Sequence, residues 1–118
     1  MTIPLQITAS DLDLTESIEE TIQEKTQKLS FFYDRILRCR VRIEAPHHHH
    51  QKGILYNVHI DLIIPGGELV VNRVSHEDLY AAIRLAFDRA IRRLEDYTDR
   101  RRAHGTRLSE RPLQETAP

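Results

Sequence analysis

The segment from Leu37 to Ala45 alternates apolar and charged residues without interruption, and this pattern constrains the fold more than any other feature. A period of two residues is typical of a β-strand with one face on a core and the other in water. The predicted inner face consists of Leu37, Cys39, Val41, Ile43 and Ala45. The predicted outer face consists of Arg38, Arg40, Arg42 and Glu44.

The three arginines on the outer face form a row with a spacing of about 7 Å, because a strand rises about 3.3 Å per residue. Phosphates along a nucleic-acid backbone repeat on a comparable scale, so the row favours an RNA or DNA partner. The alternative interpretation is a solvated strand face that charge keeps soluble. One strand alone does not decide between the two.

The rest of the chain predicts a single α+β domain with the order β-α-β-β-β-α. Strands are predicted at residues 5–9, 56–64 and 68–74, in addition to the arginine strand, and Pro65-Gly66-Gly67 predicts a hairpin turn between the last two. Strands 2 to 4 are expected to be antiparallel in one four-stranded sheet. Both helices are expected on the face that carries Val41, Val58 and Val71.

Helix ends follow from capping residues and turn signals. Thr15 is expected to cap a first helix over residues 16–29, and residues 30–34 are expected to form an aromatic corner that closes one end of the core. Ser75 with Asp78 resembles a capping box for a second helix that begins at Leu79, fades near Arg102 and stops at Gly105. The predicted domain therefore covers residues 1–104, and residues 105–118 are predicted to be a disordered polar tail.

Composition excludes several classes of protein. No apolar run approaches the length of a membrane span and the N-terminus does not resemble a signal peptide, so we expect a cytoplasmic protein without a membrane partner. The single cysteine, Cys39, excludes an internal disulfide and is expected to be a small buried hydrophobe. No serine elbow, phosphate-cradling loop or pair of converging acids is present, so we predict no catalysis, no cofactor and no small-molecule substrate.

The net charge of −1 argues against a protein that coats nucleic acid, but the charges are segregated locally. On the second helix the basic residues Arg89, Arg93 and Arg100 share one shoulder of the apolar stripe. The acidic residues Asp88, Glu95 and Asp99 are expected on the back of that helix. Lys25 and Lys28 lie beside the buried stripe of the first helix. This segregation favours an anionic partner, although long cationic side chains can also simply cover the rim of a core.

Four consecutive histidines, His47, His48, His49 and His50, form the most unusual segment of the chain. Imidazoles bind zinc, nickel or copper, but consecutive histidines in a loop do not converge on one ion, and no cysteine or pair of carboxylates nearby completes a tetrahedral set. These residues are therefore weak candidates for a metal site. Adventitious metal binding and protonatable donors for an RNA contact are the other interpretations.

Three motifs carry a resemblance to a known family. They are Leu14-Thr15-Glu16-Ser17-Ile18, the segment Lys25-x-x-Lys28-Leu29-x-x-Phe32-Tyr33-Asp34-Arg35-Ile36, and Asp78-Leu79-Tyr80-Ala81-Ala82-Ile83 after the hairpin. From about Leu5 to Arg102 the chain resembles the bacterial ribosome hibernation-promoting factors, also called ribosome-associated translation inhibitors, in their short form. That family has the order β-α-β-β-β-α, akin to a double-stranded-RNA-binding domain, which agrees with the order predicted above from the residues.

The resemblance implies a translation inhibitor of stress and stationary phase that binds the rRNA of the small ribosomal subunit at the decoding region, where mRNA and tRNA would otherwise lie. Bridging of ribosomes through the extra domain of long members is not expected. The alternatives are a metal-binding or stress-response protein with a histidine loop on the same fold, and a generic binder of double-stranded RNA. The predicted rRNA contacts are Lys25, Lys28, Arg35, Arg38, Arg40, Arg42, Arg89, Arg93 and Arg100.

Overall fold

The computed structural model describes residues 2–45 and 55–114, with side chains described up to Arg102. It contains four strands and two long helices in the predicted order β-α-β-β-β-α, with one short 3₁₀ helix. The elements are β1 (Leu5–Ser10), α1 (Glu16–Lys28), the 3₁₀ helix (Leu29–Phe31), β2 (Arg38–Glu44), β3 (Tyr56–Ile64), β4 (Gly67–His76) and α2 (Leu79–Gln114).

The four strands form one sheet in the order β1-β2-β3-β4. β1 runs parallel to β2, because α1 carries the chain back across the sheet between them, and Leu5 lies opposite Cys39. β2, β3 and β4 are antiparallel as predicted. The turn between β3 and β4 depends on Gly66, whose φ of +84° is a conformation that glycine adopts at little cost. A register shift between Val58 and Ile60 adds one residue to β4 and marks a β-bulge.

The hydrophobic core lies between one face of the sheet and the two helices. Its sheet side includes the predicted residues Val41, Val58 and Val71, and its helix side includes Ile22 and Leu94, which are fully buried. The opposite face of the sheet is not covered by any described element and carries the alternating polar residues. Among the residues that the structure describes, no helix is long and apolar enough to cross a membrane.

The two helices begin at different kinds of cap. Thr15 caps α1 as predicted, since its Oγ1 accepts a hydrogen bond from the Ile18 amide at 3.2 Å. The predicted capping box of α2 is wrong, because Ser75 belongs to β4 and its hydroxyl donates to Asn57 Oδ1 at 2.6 Å. Asp78 is the cap, and its Oδ1 accepts from the Tyr80 amide at 3.0 Å. Strand pairing thus extends β4 beyond its predicted end.

The predicted end of α2 at Gly105 is also wrong, because the helix continues to Gln114. A single glycine inside a helix costs only about 1 kcal/mol relative to alanine, which favourable neighbours can offset. Residues 115–118 lie outside the described residues. The division into a folded domain of residues 1–104 and a tail of residues 105–118 stays a prediction, as the helix alone does not test it.

Only some side chains of the predicted aromatic corner, residues 30–34, pack against the core. Tyr33 is half-buried and packs edge-to-face on Tyr97, with 5.5 Å between the ring centroids. Phe31, in contrast, is 82% exposed and takes no part in the predicted closure of the core. The 3₁₀ helix has about three residues per turn, so with Leu29 fully buried the side chain two residues later points outward.

Candidate nucleic-acid interface

The two helices lie side by side and run in the same direction. Near their first turns Ser17 Oγ lies 3.0 Å from Tyr80 Oη, and beyond the end of α1 the ring of Tyr33 packs on Tyr97. Residues that follow Ser17 at intervals of three or four therefore lie on the flank of α1 that faces α2.

This shared flank carries several cationic side chains beside the exposed Glu24. Lys25 lies about two turns after Ser17 and Lys28 one turn later, the first half-buried and the second exposed. Arg84 lies one turn after Tyr80, on the flank of α2 that faces α1, and is exposed. Arg84 was not among the predicted contacts, because only the contact of Ser17 with Tyr80 shows which flank of α2 faces α1. We call these three residues the inter-helix surface.

A second group of cations lies where the two tyrosines meet. Arg101 Nη1 donates to Tyr97 Oη at 3.0 Å, and the guanidinium carbon lies 5.7 Å from the ring centroid. This hydrogen bond lowers the pKa of Tyr97, whereas burial raises the pKa of Tyr33. The charge of Arg35 acts on both tyrosines and opposes the rise at Tyr33. Arg35 and Arg101 thus place positive charge at the same end of the domain.

The arginine row of β2 is present on the open face, but acidic neighbours compensate two of its members. Arg40 lies 3.4 Å from a carboxylate oxygen of Glu68 and 3.8 Å from one of Asp61. The Nε of Arg42 lies 3.5 Å from Glu44. No carboxylate of the described residues lies within 4 Å of Arg38. The acids beside Arg40 come from β3 and β4, which the pattern of β2 alone does not show, whereas Glu44 beside Arg42 belongs to the predicted outer face of β2 itself.

On the far flank of α2, Arg93 is tied to the edge of the sheet. Its Nε and Nη2 both donate to the carbonyl oxygen of Val70, at 3.1 and 2.5 Å. Arg89 lies one turn earlier in the same groove between α2 and β4, together with Asp88 and Asp96. The expected separation of basic from acidic side chains on α2 is thus incomplete, since Asp88 shares the groove with the arginines. Arg92, another lining residue, was not predicted.

The nine predicted contacts therefore do not form one surface. They divide among three places. These are the inter-helix surface with the adjoining end of the domain where Tyr33 meets Tyr97, the groove between α2 and β4, and the open face of the sheet. Six of them have no carboxylate within 4 Å among the described residues and make none of the side-chain hydrogen bonds described above. These six are Lys25, Lys28, Arg35, Arg38, Arg89 and Arg100.

The four consecutive histidines lie outside the described residues. Within the described part of the chain, no group of three or more His, Cys, Asp or Glu side chains could hold a metal ion. His59 Nε2 lies 3.6 Å from Glu44 on the open face of the sheet, and His76 Nδ1 accepts a hydrogen bond from the Asp78 amide at 2.9 Å.

Cys39 is fully buried beneath α1, 3.9 Å from Thr26 Oγ1. Burial raises the pKa of its thiol to about 12, so the nucleophilic thiolate is scarce at neutral pH. The residue therefore serves packing, as the sequence predicts.

Comparison with known proteins identifies the family. A family model described as Sigma 54 modulation protein / S30EA ribosomal protein matches residues 5–102. The chain belongs to this family. Relatives include the ribosome hibernation promoting factor of Azotobacter vinelandii, 28% identical over 92% of this chain and 97% of that protein. The protein of the same name from Escherichia coli K12 is 28% identical over 85% of this chain and 98% of its own length.

Solved structures support the fold of this Sigma 54 modulation protein / S30EA family member. The N-terminal domain of Thermus thermophilus Protein Y superimposes with a TM-score of 0.62 and 23% identity, covering 82% of this chain and 99% of that one. A ribosomal subunit interface protein from Coxiella burnetii gives a TM-score of 0.67 at 17% identity, with the same coverage. The resemblance inferred from the three motifs is therefore confirmed.

Proposed function

We propose that this protein binds the rRNA of the small ribosomal subunit at the decoding region and inhibits translation by occupying the place of mRNA and tRNA. It acts in the cytoplasm, as a binding protein without catalysis or a cofactor. Membership of the Sigma 54 modulation protein / S30EA family supports a role on the ribosome. Relatives that match nearly their whole length are named ribosome hibernation promoting factors, which supports a role in silencing ribosomes.

The observation that carries the RNA part of the proposal is the set of six cations that have no carboxylate within 4 Å among the described residues. A side chain that is paired with a carboxylate must give up that ion pair to reach a phosphate. A side chain without such a pair loses no ion pair, and its binding releases counterions from the RNA. Lys25, Lys28 and Arg35 lie along α1 and just after it, so the helical side of the domain supplies much of the contact. Arg38 adds a contact from the open sheet face, at the start of β2.

The other predicted contacts take different roles in this proposal. Arg40 and Arg42 contribute less, because carboxylates on the same sheet face compensate their charge. Arg93 positions α2 against β4, and Arg89 and Arg100 on the same flank of α2 reach the phosphates. Arg84 is added as a contact, since it lies on the inter-helix surface.

Competition on purified small subunits tests the proposal. Increasing concentrations of the protein should displace a labelled mRNA and a labelled tRNA from the subunit, and a Lys25→Gln/Lys28→Gln variant should displace both less well at equal concentration. Displacement by wild type and variant alike would argue against the inter-helix surface. Simultaneous binding of protein, mRNA and tRNA would overturn the decoding-region proposal, and preferential binding to free duplex RNA would indicate a generic double-stranded-RNA binder.

A further inference from the structure

Apolar side chains lie exposed at the end of the domain where α1 passes into β2. Phe31 is 82% exposed, Leu37 is 55% exposed and Phe32 is 38% exposed. Exposing a phenylalanine ring to this degree leaves a large apolar surface in water, which favours contact with a partner. The ring of Phe31 contributes nothing to the core described above.

The backbone places a cation on the same side of the 3₁₀ helix as this ring. Lys28 immediately precedes the 3₁₀ helix and has helical dihedral angles, with φ −68° and ψ −20°. In a 3₁₀ helix the side chains of residues i and i+3 eclipse one another. The Lys28 ammonium and the Phe31 ring therefore project from the same side of this short helix, with Arg35 and Arg38 a few residues further along the chain.

Charge selects the kind of partner that fits. Lys28, Arg35 and Arg38 have no carboxylate within 4 Å among the described residues, and Asp34 is the one acidic residue between Phe31 and Arg38. An exposed aromatic ring with cations before and after it in the chain matches the two chemical parts of a nucleotide, since a ring can stack on a base and cations can contact the phosphates. A purely apolar protein surface would not use the cations.

We infer that Phe31 stacks on an unpaired nucleobase, while Lys28 contacts the adjoining phosphate. This inference rests on the proposed binding of rRNA and makes it more specific, since the domain end would read a single-stranded or splayed-out nucleotide and not a regular duplex. Base stacking tolerates every base because each has a π-face, so the contact adds affinity without selecting a sequence.

Affinity for purified small subunits provides the first test, with three variants of Phe31. Phe31→Ala removes the ring, Phe31→Leu keeps apolar bulk without a π-face, and Phe31→Tyr keeps stacking. Alanine and leucine should both weaken binding by about 5- to 150-fold, the range for loss of one stacked base, whereas tyrosine should bind like wild type. Melting temperatures of all three should be unchanged, because the side chain lies outside the core.

Each contrary outcome has a distinct meaning. If leucine binds like wild type while alanine is weak, the patch docks on an apolar protein surface and the stacking inference is overturned. If all three variants bind like wild type, Phe31 makes no contact, yet the proposed rRNA binding stands. If the wild-type protein itself does not bind small subunits, the proposed function fails together with this inference.

Fluorescence gives a second test, because the chain contains no tryptophan. A Phe31→Trp variant introduces a single reporter that still stacks, and a Leu55→Trp variant is the matched control at an exposed position just before β3, at the opposite end of the sheet from Arg38. A non-self-complementary RNA strand at low salt should quench the first reporter and leave the second unchanged, and the same strand in duplex form should quench neither. Equal quenching of both reporters, or quenching of the first by duplex RNA, would overturn the inference.

Discussion

Two arginines one helical turn apart on α2 show how neighbours change the role of a residue. Arg93 donates two hydrogen bonds to the Val70 carbonyl, whereas Arg89 makes no described hydrogen bond to the backbone. Arg93→Ala leaves that carbonyl to water at the sheet edge and should lower the free energy of unfolding by about 1 kcal/mol. Arg89→Ala should change it by less than about 0.5 kcal/mol. Urea unfolding of both variants checks this, and equal stabilities would contradict the positioning role of Arg93.

The buried thiol of Cys39 predicts how stability changes with pH. Burial raises its pKa to about 12, so as pH rises above about 9 the unfolded chain ionises this group first and the native state loses stability up to about pH 12. Tyr33, whose pKa is also raised, contributes with the same sign. Cys39→Ala should therefore show a shallower alkaline loss of stability than wild type, while Tyr33 acts equally in both. Urea unfolding at pH 8 and pH 10.5 measures the difference; parallel losses would mean that the thiol ionises as easily in the native state.

At the scale of the strand, two arginines of β2 have the same charge but differ in whether a carboxylate lies beside them. Arg38 and Arg42 carry the same charge, but the Arg42 Nε lies 3.5 Å from Glu44, whereas Arg38 has no carboxylate within 4 Å in the described structure. If Arg38 contacts a phosphate, Arg38→Gln should reduce the steepness of the salt dependence of small-subunit binding by about one log–log unit.

Arg42→Gln is the matched control, since it removes the same charge from the same strand face. It should lower affinity slightly and leave the salt slope unchanged. Both side chains are exposed, so neither substitution should alter stability by more than about 0.5 kcal/mol. Identical slopes for the two variants would show that ion pairing on the sheet face does not decide which arginine reaches the RNA.

The elements themselves were largely predictable from the sequence, since alternation located β2 and β3 and Thr15 marked the start of α1. The errors arose where distant parts of the chain meet. Ser75 bonds Asn57 across the sheet and not the helix, and Arg40 meets Glu68 from β4. Local patterns record the face on which a residue lies, whereas its partner depends on strand register and on the packing of the helices.

At the scale of the whole molecule, the net charge of −1 conceals two differently charged sides. On the open sheet face Asp61, Glu68 and Glu44 compensate two of the three arginines, whereas the cations of the inter-helix surface and the domain end have no such partner among the described residues. Such a distribution allows strong local attraction to phosphates without the general affinity for polyanions that a highly basic protein shows.

The affinity of the protein for purified small ribosomal subunits as a function of salt concentration tests the central claim most directly. If Arg84 and the six cations without a carboxylate partner among the described residues each neutralise a phosphate, the logarithm of the binding constant should fall against the logarithm of salt concentration with a slope of about −5 to −6. Such a slope would support binding through these cations. A nearly flat dependence would contradict the account, because it would show that the protein does not hold the subunit through the phosphates of its RNA.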